Sequence, residues 1–128
     1  MNLLLDTHLL LWAAYEPERL SRKARSLILD PANTLHFSVA SIWEVAIKFS
    51  LGRADFVVDP AELRMNLIAN EYGELPVEAA HVLRVATLPH LHADPFDRIL
   101  LAQAMAEGHV LLTQDAKVVA YGGPVWEA

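Results

Sequence analysis

The chain opens with Asn2-Leu3-Leu4-Leu5-Asp6-Thr7-His8, an apolar run that stops at a carboxylate. A short run that is apolar at every position is typical of a parallel strand buried on both faces. Val110-Leu111-Leu112-Thr113-Gln114-Asp115 repeats this arrangement near the other end of the chain. Ligands of parallel α/β sheets bind outside the carboxyl ends of the strands, so Asp6 and Asp115 both fall where a site is expected.

Helical patterns and cap signals separate these two strands from others of the same kind. The spacing of apolar residues, caps, prolines and glycines predicts helices over 7–15, 21–29, 41–51, 60–72, 77–86 and 95–107. Further strands are predicted over 34–38, 74–76 and 125–126. We therefore predict an α/β fold with a mainly parallel sheet of four to five strands flanked by helices, in one domain over residues 1–128.

Composition narrows the class of protein. The chain has no cysteine, which excludes disulfides and thiolate-bound metals. No apolar run approaches the length of about 20 residues that spans a bilayer, and the N-terminus lacks the basic start of a secretory signal, so we expect a cytoplasmic protein without a membrane segment. The net charge of -6 argues against an opportunistic nucleic-acid binder. It is compatible with a nuclease, because a carboxylate cluster becomes cationic once divalent cations bind.

Three further acids extend the candidate site, although each has a purely structural interpretation. Asp94 precedes Pro95 and fits a helix N-cap, and Asp97 then falls in the first helical turn. Glu44 follows Ser41 at the spacing of a capping box, and for Glu44 alone this interpretation is favoured. Taken together, the acids form an oxygen-only ligand set that suits Mg²⁺ or Mn²⁺. Such ions orient water and stabilise charge on a phosphate, which is the chemistry of phosphodiester hydrolysis.

Four segments, in this order, resemble the motifs of PIN-domain nucleases, and in particular the VapC-type toxins of bacterial toxin–antitoxin pairs. They are Leu3-Leu4-Leu5-Asp6-Thr7-His8, Ser41-Ile42-Trp43-Glu44-Val45-Ala46-Ile47-Lys48, Asp94-Pro95-Phe96-Asp97-Arg98-Ile99-Leu100-Leu101-Ala102-Gln103-Ala104 and Leu112-Thr113-Gln114-Asp115. The resemblance covers nearly the whole chain. It implies a PIN-like three-layer fold and a metal-dependent endoribonuclease that hydrolyses RNA, the toxin of a type II pair.

The resemblance also assigns roles to individual residues. Asp6, Glu44 and Asp97 match the three principal acidic positions, and Asp115 matches the usual fourth. Asp94 is an extra acid found in some branches of the family. Together these five acids are the catalytic and metal-binding set that the resemblance implies. Thr113 matches a hydroxyl position that supports the site. The implied partners are RNA, a cognate antitoxin and a second copy of the chain. The first helix is apolar on more than one face: ordinary core packing explains one face, and an additional exposed stripe would suit a dimer or an antitoxin helix.

Several basic residues and histidines have open alternatives. Lys48 lies one turn after Glu44, where it would contact a phosphate or simply pair with Glu44, and Arg98 beside Asp97 has the same ambiguity. Arg22 and Arg25, one turn apart, form either a phosphate contact or a solvated face. Two loop histidines lie just before the third motif. Loop histidines usually face solvent, and the alternative for these two is a role in metal binding or acid–base chemistry. They are His90 and His92.

Three rival functions fit less of the sequence. A HAD-like phosphatase with Asp6 as nucleophile would have Asp where His8 stands. A receiver-type signalling module would need a phosphoacceptor Asp at the end of a middle strand, where Ser38 stands. A non-catalytic interaction domain of the PIN fold would not require the complete set of acids.

Overall fold

A sheet of five strands, all parallel, forms the centre of the protein, and helices cover both of its faces. The computed structural model describes residues 1–128. The strands are β1 (Asn2–Leu5), β2 (Thr34–Ser38), β3 (Gly73–Leu75), β4 (Val110–Thr113) and β5 (Val125–Glu127). The helices are α1 (Thr7–Tyr15), α2 (Arg22–Leu29), α3 (Val39–Ser50), α4 (Pro60–Ala69), α5 (Ala79–Val85), α6 (Pro95–Glu107) and α7 (Ala116–Val119), with a short 3₁₀ helix at Pro17–Arg19. The predicted α/β class is confirmed.

The strand order β3-β2-β1-β4-β5 puts the two apolar runs of the sequence side by side at the centre. Successive side chains of β1 point to opposite faces of the sheet. Leu3 and Leu5 pack with Leu9 and Leu10 of α1, whereas Leu4 packs with Leu100 of α6. A strand whose side chains are buried in a hydrophobic core on each face of the sheet is apolar at every position, which explains the unbroken apolar run at the N-terminus.

Most predicted elements begin where their cap signals are. Ser21 caps α2 by accepting a hydrogen bond from the backbone N–H of Ala24 at 3.0 Å. The Asp94-Pro95 pair starts α6, and Gly108, with a φ of 70°, ends it in the left-handed conformation that glycine adopts most easily. Two helices are shorter than predicted, since α4 ends at Ala69 and α5 begins at Ala79.

The start of α3 differs from the prediction in a way that bears on the site. Ser38, and not Ser41, is the N-cap, and its hydroxyl accepts a hydrogen bond from the backbone N–H of Ala40 at 3.0 Å. Ser41 therefore lies inside the helix, fully buried, and the predicted capping box with Glu44 does not form. Glu44 is left as a mostly buried acid in the middle of a helix, without a capping role.

None of the helices has both the length and the apolar character that crossing a bilayer requires.

Candidate metal centre

The first part of the site forms where the two central strands end. Asp6 follows β1 directly and is only 5% exposed. Its Oδ2 accepts a hydrogen bond from the Thr113 hydroxyl at 2.5 Å, and its Oδ1 accepts one from the backbone N–H of Leu9 at 2.9 Å. The Thr113 oxygen in turn accepts a hydrogen bond from the backbone N–H of Asp115 at 3.1 Å. Thr113 thus joins the two strand-end acids, in the supporting position expected for it.

The second part comes from the N-terminus of α6 and the loop before it. Oδ1 of Asp94 accepts hydrogen bonds from the backbone N–H groups of Phe96 and Asp97, at 2.8 and 3.2 Å, so Asp94 is the cap that the sequence predicted. Oδ2 of Asp97 lies 2.8 Å from Nε2 of His92. The same His92 nitrogen is 3.9 Å from Oδ2 of Asp115. His92 therefore joins the acids of α6 to those of the strand edge.

The carboxylates interact unfavourably when all of them are ionised. Burial, together with the charges of Asp94 and Asp6, raises the pKa of Asp97 to about 6, although the hydrogen bond from His92 opposes the shift. Burial likewise raises the pKa of Asp6, although the hydrogen bond from Thr113 opposes the shift. Half-buried acids that repel one another are stabilised by a cation among them. This oxygen-rich donor set fits a hard divalent cation.

Glu44 lies on helix α3, which contacts both parts of the site through other residues. The Thr7 hydroxyl, next to Asp6 in the chain, donates to the Ser41 hydroxyl at 3.0 Å. Trp43 packs edge-on against Phe96 at the start of α6, with ring centroids 5.0 Å apart. These contacts hold α3 against both parts of the site. Glu44 itself forms an ion pair with Lys48, with 3.2 Å between Oε2 and Nζ. Of the two alternatives for Lys48, the structure contains the pairing with Glu44.

Arg98 corrects one sequence prediction. Its guanidinium is buried and donates to the backbone carbonyls of Pro89 and Val85, at 2.8 and 3.1 Å. It also donates to the Tyr121 hydroxyl at 3.0 Å. These contacts occupy the group for which a phosphate contact or a pairing with Asp97 was expected. Arg98 instead fixes the loop that carries His92.

Arg22 and Arg25 do not join the carboxylates either. Arg25 donates to the carbonyl of Pro17 at 2.9 Å, beyond the C-terminal end of α1. Asp6 caps the opposite end of that helix, which has nine residues and is therefore about 13 Å long. Arg22 lies on the same exposed side of α2 as Arg25. Both alternatives for this pair, a solvated face or a phosphate contact, remain open, but such a phosphate would lie away from the carboxylate site.

His92 is the residue to which sequence reasoning gave too little weight. It was considered only beside His90, as a loop histidine that would more often face solvent. In the structure the His92 side chain is 12% exposed and contacts Asp97, whereas His90 is exposed. Its place two residues before the cap Asp94 was the available signal.

A protein-family model described as PIN domain matches residues 3–123. The chain belongs to the PIN-domain family. This membership sets aside the phosphatase and receiver alternatives. Ribonuclease VapC22 of Mycobacterium tuberculosis is 27% identical to this PIN domain over 124 residues, which are 96% of this chain and 94% of that protein.

Solved structures of low sequence identity share the fold. VapBC2 from Rickettsia felis, in a crystal structure with a DNA fragment from its promoter, superposes with a TM-score of 0.70 at 14% identity, covering 100% of this chain and 98% of that one. VapBC-1 from nontypeable Haemophilus influenzae superposes with a TM-score of 0.65 at 19% identity, covering 100% and 97%. A toxin–antitoxin complex from Klebsiella pneumoniae gives 0.62 at 20% identity, covering 98% of each chain. The predicted PIN-like fold is confirmed.

The raised pKa of Asp97 predicts how a neutral substitution alters stability. The pKa of Asp97 is about 6 in the folded protein, whereas its ordinary value is 3.8. The protonated carboxyl group therefore stabilises the folded state fully below about pH 4, and this stabilisation is lost as the pH rises through 6. In EDTA at pH 8, Asp97→Asn should raise the free energy of unfolding by roughly 1–3 kcal/mol. Urea denaturation from pH 4 to pH 8 measures this difference. Asp59→Asn, at the cap of α4, is the control and should change little. A gain that is the same at every pH would contradict the account.

The buried position of Arg98 predicts a loss of stability on substitution. Arg98→Lys keeps the charge but cannot donate to two carbonyls and a hydroxyl in the same fixed geometry. The free energy of unfolding should fall by about 2–4 kcal/mol, measured by urea denaturation, whereas Arg84→Lys on exposed α5 should have little effect. RNA affinity of the folded variant in EDTA should match the wild type. If Arg98→Lys were as stable as the wild type but bound RNA more weakly, the account would be contradicted and Arg98 would be a substrate contact.

Proposed function

We propose that this chain is a divalent-metal-dependent endoribonuclease and the toxin of a type II toxin–antitoxin pair. The observation that carries the proposal is the convergence of buried Asp6 and half-buried Asp97 with Asp94 and Asp115 at the carboxyl edge of the sheet. Membership of the PIN family and likeness to a protein named a ribonuclease support the choice of RNA over other phosphodiesters. We take residues 1–128 as one domain that carries this activity.

We assign the metal site to Asp6, Glu44 and Asp97, with Asp115 and Asp94 completing it. The ion is Mg²⁺ or Mn²⁺, since both prefer oxygen ligands. When bound, such an ion activates water for attack on phosphorus and stabilises the charge that develops on the phosphate oxygens. The overall reaction forms a bond between water oxygen and phosphorus and breaks a P–O ester bond, and the departing oxygen takes up a proton.

The chain itself prepares the ligands for this reaction. Thr113 and the Leu9 N–H each hold one oxygen of Asp6, so this carboxylate is oriented before any ion arrives. Asp94 is oriented in the same way by the first N–H groups of α6. The side chain of Asp115 is 43% exposed, so RNA approaches from this side of the site. Pre-oriented ligands lower the cost of assembling the reactive geometry.

The partners we propose are RNA, a cognate antitoxin and a second copy of the chain, in the cytoplasm. A groove of about 420 Å³ between α1, α2 and α4 has mostly apolar walls, including Ala14, Leu20, Ile28 and Leu67. Its size and character suit an amphipathic helix of an antitoxin. The similar structure from Klebsiella pneumoniae is a toxin–antitoxin complex, which favours this assignment. Trp43, which is 61% exposed, lies in a separate apolar patch suited to the second copy.

Expression in a bacterial host tests the proposed function. The wild type should arrest growth and leave discrete RNA fragments, while Asp6→Asn should do neither. Purified Asp6→Asn should cleave RNA about 100-fold more slowly or worse with Mg²⁺ or Mn²⁺ present, because it removes a metal ligand. Asp59→Asn caps a helix away from the site and is the matched control, expected to behave as the wild type. Equal toxicity and cleavage by folded Asp6→Asn would overturn the proposal.

A further inference from the structure

A nitrogen donor lies among the carboxylates of the candidate metal centre. Nε2 of His92 is 2.8 Å from Oδ2 of Asp97 and 3.9 Å from Oδ2 of Asp115. One ligand atom from each of His92, Asp94 and Asp97 lies within 4.8 Å of the others. An ion with bonds of about 2.1 Å in octahedral geometry has neighbouring ligand atoms about 3 Å apart and opposite ones about 4.2 Å apart. These three side chains are thus close enough together to bind one ion after small adjustments of their positions.

The backbone of His92 is fixed independently of its contact with Asp97. The hydroxyl of Tyr121 accepts a hydrogen bond from the N–H of His92 at 3.2 Å and donates to its carbonyl oxygen at 3.4 Å. Arg98 donates to the same hydroxyl at 3.0 Å and to the carbonyl of Pro89 in the same loop. One buried arginine and one tyrosine therefore hold the loop where its imidazole faces the acids. By contrast, the side chain of neighbouring His90 is exposed and has no such support.

Charge gives a reason for a histidine at this point. The acids already raise one another's pKa, as Asp94 and Asp6 do for Asp97. A further carboxylate would add to this repulsion, whereas a neutral imidazole adds a ligand without adding negative charge. Imidazole also changes the metal preference of the site. Mg²⁺ binds oxygen almost exclusively in proteins, and later first-row ions bind nitrogen increasingly well.

We propose that His92 is a direct ligand of the divalent cation, beside Asp94 and Asp97, and that this nitrogen makes the site favour Mn²⁺ over Mg²⁺. The inference rests on the proposed function, because it concerns the ion of the same site. The proposal differs from a positioning role, in which His92 would only donate a hydrogen bond to Asp97. A ligand requires a bond from Nε2 to the ion, with the ring proton on Nδ1.

Pulsed electron paramagnetic resonance of the Mn²⁺-loaded full chain distinguishes the two roles. An imidazole ligand gives a ¹⁴N coupling to the Mn²⁺ electron spin, which should change to a ¹⁵N coupling in protein labelled with ¹⁵N-histidine. The coupling should be absent from His92→Gln and present in the matched variant His90→Gln. Mn²⁺ affinity, measured by titration calorimetry, should fall about tenfold or more in His92→Gln, with a smaller change in Mg²⁺ affinity.

The outcomes separate this inference from the proposed function. Mn²⁺ binding without a histidine coupling in the wild type overturns the ligand role of His92, while RNA cleavage by the same sample keeps the proposed function. An equal loss of Mg²⁺ and Mn²⁺ affinity in His92→Gln overturns the claim of metal preference. A histidine coupling in a sample that never cleaves RNA supports the ligand and counts against the ribonuclease. A wild type that binds neither ion at millimolar concentration overturns both.

Discussion

The parallel pairing of β1 with β4 is the constraint on which the site depends. Leu3, Leu4 and Leu5 pair in register with Val110, Leu111 and Leu112, although the two strands are far apart along the chain. The hydrogen bond from Thr113 to Asp6 at the end of these strands joins residues whose numbers differ by 107. Both strands are buried among apolar side chains on each face, so a slip in register would misplace a whole set of core residues. The register that packs the core is therefore the register that brings Asp6 beside Thr113 and Asp115.

The same arrangement imposes an electrostatic cost. Asp6 is almost completely buried, and the pKa of Asp97 is raised to about 6. A fold without a ligand has no reason to gather acids where they repel one another. The helix N-terminus of α6 partly compensates, since its free N–H groups bond Asp94 and its dipole favours negative charge. A divalent cation compensates for the remaining repulsion between the carboxylates. Metal binding should therefore increase the stability of the folded protein.

Much of the fold follows from local signals in the sequence. The apolar runs, the two Asp-Pro starts and the glycine after α6 are each decided by a few neighbouring residues, and they predicted the elements that the structure contains. The start of α3 was mistaken because Ser38 and Ser41 are both good caps, and only tertiary packing selects between them. The buried bond from Thr7 to Ser41 favours the earlier start, and it is a contact across 34 residues that no local pattern contains.

The site was predictable where acids follow strands and less so elsewhere. For Arg98, a substrate contact or a pairing with Asp97 was expected because the two residues are adjacent in sequence, but neighbouring residues of a helix do not share a face. His92 lies in a loop without regular structure, so its position depends on Tyr121, 29 residues away. The identity of the strand-end acids could be inferred from the chain, whereas the role of the loop histidine required the fold.

The dependence of stability on divalent cations tests the central claim most directly. Urea denaturation of the wild type and Asp6→Asn at pH 8, with Mg²⁺ or Mn²⁺ increased at constant ionic strength, measures it. If the carboxylates bind the ion only when folded, the free energy of unfolding of the wild type rises by about 1.4 kcal/mol for each tenfold increase above the dissociation constant, and Asp6→Asn lacks this rise. A wild type whose stability is independent of both ions would contradict the account.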